Sequence, residues 1–138
     1  MATQIVLLRG INVGGKRKLP MADLKQLLTK LGSTDVRTYA QSGNAVLEHS
    51  GKPQVLAQQI AASIEKQFGL DVPTQVLSAK QLKDVVTKCP FIKEKGIDLT
   101  KLHVTFLDSA PKTADVAMIT GGDYDNDRFI IVGNVVYL

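Results

Sequence analysis

Tryptophan is absent from this chain of 138 residues, one cysteine and two histidines occur, and the aromatic share is only 5%. Each shortage removes a class of function. The lone Cys89 excludes an internal disulfide framework, and with two histidines it excludes a zinc site assembled from several Cys and His of one chain. So few aromatics leave little material for a base-stacking platform, and the core has to be filled by Leu, Ile and Val. No apolar run approaches the roughly 18 residues of a membrane span, and Met1–Leu8 lacks the basic region and apolar stretch of a secretory signal. The expectation is a cytoplasmic protein in a reducing compartment, with no use for a membrane.

What is present is enough apolar material, 44%, to bury a core in one domain or two small subdomains. The net charge of +4 is unevenly spread. Residues 1–52 hold 8 basic and 3 acidic side chains, an excess of +5, whereas residues 53–138 hold 9 and 10, a balance of −1. The first part is therefore biased toward anionic partners.

Gln4-Ile-Val-Leu-Leu-Arg9 is a nearly continuous apolar run ending at Gly10, as a strand central in a sheet requires. Met21, Leu24, Leu27, Leu28 and Leu31 recur at helical spacing, with Pro20 suited to a first turn and Gly32 placed to stop the helix. Val36–Tyr39 and Ala45–Leu47 are β-prone runs around Gln41-Ser-Gly-Asn44, whose composition fits a hairpin turn. Leu56, Ile60, Ile64 and Phe68 trace one face of a second helix that Gly69 terminates. Val72–Leu77 then follows as a strand, with Pro73 suited to an edge position.

The resulting β-α-β-β-α-β order across residues 3–77 is that of a ferredoxin-like sandwich, the split βαβ arrangement. Ser78 and Gln81 match a capping box, so a third helix is expected through Leu82, Val85 and Val86 to Cys89-Pro90. Beyond it, Lys93–Thr100 reads as a loop, Lys101–Leu107 as a strand and Thr113–Thr120 as a short helix. Arg128–Val132 and Val135–Leu138 form a hairpin around Gly133-Asn134. The predicted class is α+β: a ferredoxin-like subdomain over 1–78 and a smaller α+β subdomain over 79–138.

The stretch Leu8-Arg-Gly-Ile-Asn-Val-Gly-Gly-Lys16, then Met21 and Leu24, then Val36-Arg-Thr-Tyr39 and Gln41-Ser-Gly-Asn44 resembles the signature of a bacterial family catalogued as domain of unknown function 1697. The resemblance runs along the whole chain and is densest through residue 47. It implies a ferredoxin-like N-terminal subdomain joined to a second α+β subdomain, and it supplies no reaction, cofactor or ligand. Members usually continue after the equivalent of Val135–Leu138 into a polar segment rich in Thr, Arg and Asn, so the second subdomain is expected to be truncated here.

In a split βαβ unit the first two strands are parallel and the third runs between them the other way. The loop after the first strand and the turn between strands two and three then emerge at one edge, beside the start of the first helix and the positive end of its dipole. This gathers Arg9, Asn12, Lys16, Arg17, Lys18, Gln41, Ser42 and Asn44 around Gly10, Gly14, Gly15 and Gly43. Glycines allow close backbone approach, and successive amides can form an anion-binding nest. The expected ligand is a phosphate or a carboxylate on a small molecule.

Other chemistry is weaker. Gly10–Arg17 reads G-x-x-x-x-G-K-R, but Arg17 stands where a Walker A loop needs Ser or Thr for Mg²⁺. Asp123, Asp125 and Asp127 alternate as in an EF-hand, but Arg128 and Asn134 replace its glycine and glutamate, so no metal is expected. His49, His103 and Cys89 have no sequence-local catalytic partners. RNA recognition in the manner of an RRM sheet is disfavoured, because the central strands carry no aromatic residue. Nonspecific nucleic-acid binding through the basic rim, an enzyme of unknown reaction using Arg9 and the Gln41–Asn44 turn, and assembly through a sheet face stand as alternatives.

Overall fold

A computed structural model describes residues 2–13, 15–39, 43–91, 102–107, 110–112 and 129–137. Along the chain these form β1 (Ala2–Leu8), α1 (Met21–Lys30), β2 (Thr34–Tyr39), β3 (Asn44–His49), α2 (Pro53–Phe68), β4 (Thr74–Ser78), α3 (Ala79–Thr87), β5 (Val104–Phe106), β6 (Ile130–Val132) and β7 (Val135–Tyr137). Contacts divide the chain into two units, Met1–Lys83 and Asp84–Leu138.

In the first unit the four strands lie in the order β2-β3-β1-β4, and every neighbouring pair is antiparallel. β1 and β2 are thus parallel with β3 between them, the ferredoxin-like arrangement that the order of elements implied. Alternation along the strands sends one set of side chains toward the helices. Val6 and Leu8 of β1, Val36 of β2, Ala45 and Leu47 of β3 and Val76 of β4 join Leu24, Leu27 and Leu28 of α1 and Leu56, Ile60 and Ile64 of α2 in one core. Each fully buried Leu or Ile there contributes on the order of 1.5–3 kcal/mol against conformational entropy.

The ends of these elements follow local chemistry. Pro53 opens α2 at a position that needs no N–H, and Gly69 closes it in the left-handed region, φ 66°, its N–H donating to the Glu65 carbonyl at 2.9 Å. β2 starts two residues earlier than its apolar pattern predicts, because a register irregularity between Thr34 and Arg37 lets the pairing resume beyond it, with Asp35 at φ 49°. β4 begins at Thr74 rather than Val72: Val72 is buried in the core, and Pro73 has no N–H for a ladder. The edge position anticipated for this strand is observed. The capping box at α3 is also present, with Ser78 N–H donating to Gln81 Oε1 at 2.8 Å and Gln81 N–H to Ser78 Oγ at 3.1 Å. α3 itself stops at Thr87, short of Cys89-Pro90.

In the second unit β7 lies between β5 and β6, antiparallel to both. Gly133, φ 61°, takes the first central position of the β6–β7 turn. Val135, Tyr137, Cys89 and Phe91 form a small core, flanked by Val85, Leu102 and Phe106. β5 is shorter than the predicted 101–107. The loop expected at 93–100, the helix at 113–120 and the aspartates at 123, 125 and 127 lie outside the described residues.

Candidate functional site

The chain leaves the larger sheet at Arg9, whose N–H still donates to the Pro73 carbonyl at 3.1 Å. Gly10 turns it at φ 71°, and Ile11 drops into the core at 3% exposure. Asn12 and Val13 then pair with Lys16 and Arg17 as a short two-stranded ribbon. Asn12 N–H donates to Arg17 O at 2.9 Å, Val13 N–H to Lys16 O at 3.2 Å and Lys16 N–H to Val13 O at 2.9 Å. The Asn12 side chain closes the base of the ribbon, Nδ2 donating to the Leu19 carbonyl at 2.9 Å and Oδ1 accepting from the Leu19 N–H at 2.8 Å. Leu19 is fully buried, so the ribbon is pinned between two core residues, Ile11 and Leu19.

This ribbon corrects the expectation of a nest of free amides. The N–H groups of Asn12, Val13 and Lys16 are spent inside it, and the Asn12 amide is committed to the backbone of Leu19. The Arg17 side chain is committed as well. At φ 54° it directs Nε to the Gly10 carbonyl, 2.6 Å, and a terminal nitrogen to the Asp71 carbonyl. Its guanidinium holds the loop in place.

The two separated stretches do meet. Leu8 N–H donates to the Gly43 carbonyl at 3.3 Å, and Asn44 pairs with Leu7 in the ladder. Gly43 is there for space as well as for its φ of 87°: a Cβ at this position would stand 2.6 Å from Ile11 Cδ1 and 2.8 Å from Leu8 Cβ. Asn44 is half-buried, paired on its other side with Tyr39. Gly14, Gln41 and Ser42 lie outside the described residues.

Between the ribbon and the start of α1 lies an open depression of about 420 Å³ lined by Asn12, Gly15, Lys18, Pro20 and Met21. α1 begins at Met21 with Pro20 at its cap position and no side-chain cap. The first-turn amides of a helix have no intrahelical partners and carry the positive end of its dipole. Asp23, in that first turn, partly offsets the field. Arg9, Lys16 and Lys18 are exposed and form no ion pair among the described residues, whereas Arg37 pairs with Asp35 at 3.4 Å. Pro20 and Met21, as walls of this depression, were not among the candidates from sequence. Neither was Tyr39, 56% exposed at the same end of the sheet, although strand alternation from Val36 points it away from the core.

His49 is a buried strand residue whose Nδ1 lies 3.0 Å from Ser33 Oγ. Beside it Gln4 donates through Nε2 to the Gly51 carbonyl at 2.7 Å, while its buried Oε1 has no partner among the described residues. His103 is exposed. Cys89 is a buried free thiol in the small core. Next to it burial pushes the Tyr137 phenol above its ordinary range, with a smaller contribution from Cys89, and the hydroxyl donates to the Val85 carbonyl at 2.7 Å. Among the described residues no cluster of His, Cys, Asp or Glu could hold a metal ion, and no helix is long and apolar enough to cross a membrane.

The fold and this rim define an α+β protein of βαββαβ type with a cationic loop at one end of its larger sheet. The chain belongs to the family described as Protein of unknown function (DUF1697), whose model matches residues 1–137. Its structure is similar to that of the conserved bacterial protein SP0830 from Streptococcus pneumoniae, with a TM-score of 0.77 and 23% identity over 99% of this chain and 76% of that one. That likeness is one of fold. No curated protein matches the chain.

Proposed function

We propose that the chain binds a small anionic ligand, a phosphate or carboxylate on an apolar body, in the depression between the 12–17 ribbon and the start of α1. The observation that carries this reading is Lys18 lining a depression whose other wall is the uncapped first turn of a helix. An ammonium supplies charge-assisted hydrogen bonds, the first-turn amides supply aligned donors, and Gly15 lets an oxyanion approach the backbone closely. Pro20 and Met21 give an apolar surface for the rest of the molecule. Lys16 and Arg9 add to the positive field at the rim. Gly10, Asn12 and Gly43 serve by fixing the loop, Asn12 through its side-chain bonds to Leu19.

Titration calorimetry with inorganic phosphate, nucleotides and carboxylate metabolites tests the reading. Binding is expected to weaken about tenfold in Lys18→Gln, the loss of one charge-assisted bond. It is expected to strengthen about twofold to fivefold in Asp23→Asn, which removes the negative charge from the first turn. No heat from any of these compounds at millimolar concentration would sink it.

A further inference from the structure

The face of the larger sheet turned away from α1 and α2 carries a second arrangement, apart from the depression. Since Val6, Leu8, Val36, Ala45 and Leu47 point to the helices, alternation places Leu7, Arg37, Tyr39, Asn44 and Val46 on the opposite face. The registers set them in rows. Tyr39 stands opposite Asn44, and Asn44 opposite Leu7; Arg37 stands opposite Val46, and Val46 opposite Ile5. Arg9 continues the β1 column two positions beyond Leu7, its backbone still bonded to Pro73. With strands about 4.8 Å apart and about 3.3 Å of rise per residue, the Arg9 and Tyr39 backbones lie roughly 12 Å apart and those of Arg37 and Tyr39 roughly 7 Å.

Tyr39 is 56% exposed, a large ring left in water at the sheet margin, with Arg37 two positions before it on β2 and Arg9 just past the end of β1. Arg9 has no acidic partner among the described residues. Among the described residues Arg37 has one ion pair, a surface one with Asp35 in which the two side chains are 69% and 60% exposed, and a pair of that kind yields readily to a stronger anion. A planar ring on a face that also carries two arginines complements an unpaired base and its neighbouring phosphates.

We propose that this margin binds single-stranded nucleic acid, with Tyr39 stacking on one base and Arg9 and Arg37 taking the flanking phosphates. The stacking residue sits on the edge strand β2 rather than on the central strands, and for that reason a search of the central strands for aromatics passes over it. The contact reads no sequence, since every base offers a π-face.

The test is fluorescence anisotropy of the full chain with a labelled oligothymidine or oligouridine of about ten nucleotides, against a duplex of the same length. The expected result is salt-dependent binding of the single strands in preference to the duplex. Tyr39→Ala should weaken it about tenfold or more, and Tyr39→Phe, which keeps the ring, should stay within about twofold of the parent. Arg9→Gln and Arg37→Gln should each flatten the salt slope by about one unit. Tyr39 is exposed, so these variants should fold, and circular dichroism verifies it. Absence of binding at low salt, equal affinity for the duplex, or a Tyr39→Ala protein that binds as well as the parent would overturn the assignment. Lys18→Gln separates the two sites: it weakens phosphate binding about tenfold if the depression is the anion site and leaves the Tyr39 dependence intact.

Discussion

At the scale of single residues, the rim depends on a few positions where the backbone or a buried group leaves no freedom. Gly43 combines φ 87° with a Cβ direction blocked by Ile11 and Leu8, so Gly43→Ala should cost about 2–4 kcal/mol of strain and overpacking, read as a lowered denaturant midpoint. Asn12, at φ 53° with both side-chain atoms bonded to Leu19, should lose about 2–3 kcal/mol on replacement by Ala. Tyr137 carries a pH signature. Its pKa is raised in the folded state, so its contribution is complete below the unfolded value of about 10 and is lost as pH rises through the higher folded value. Unfolding midpoints should therefore fall above about pH 10, and Tyr137→Phe should remove part of that fall while costing about 1 kcal/mol at neutral pH for the orphaned Val85 carbonyl. The glycines of the loop were legible as a cluster, but their purpose was not. A lone Gly43 in Ser-Gly-Asn looks like any turn glycine, and only the packing of Ile11 and Leu8 shows that the site has no room for a methyl group.

Among the elements, helices were the easiest to read. α1 and α2 announce themselves by apolar spacing, and their stops at Gly32 and Gly69 rest on backbone chemistry local to each residue. The same is true of the Ser78–Gln81 box, where Ser78→Ala should cost about 1 kcal/mol in thermal or chemical unfolding. Strand limits were harder, because pairing is decided by the neighbour. Asp35 adopts a left-handed conformation that allows β2 to continue past it, and nothing in Thr-Asp-Val predicts that. The 12–17 ribbon escaped for a related reason. Its formation needs Asn12 and Arg17, neither of them glycine, at positive φ, conformations fixed by the Leu19 and Gly10 contacts rather than by their own preference. The meeting of Gly43 with Leu8 and Ile11 was legible from topology alone, whereas the consumption of the ribbon amides was not.

For the molecule as a whole, the described sheets of the two units differ in the length of their pairing: β1 and β3 pair over six positions, whereas β7 pairs with β5 and with β6 over three each. Native-state hydrogen exchange should accordingly show the amides of β1 and β3 opening only with global unfolding, and those of β5, β6 and β7 opening at lower free energy. Uniform protection across both would contradict this. The charge excess of the first 52 residues falls on the first unit. There Arg17 joins the exit of β1 at Gly10 to the connection before β4 at Asp71. With Arg17 fastened in this way, a ligand arriving at the rim should bind without a slow rearrangement at Gly10 and Arg17. Stopped-flow association rates should then rise in proportion to ligand concentration without levelling off, and loosening Arg17 should introduce a plateau set by the motion of the loop.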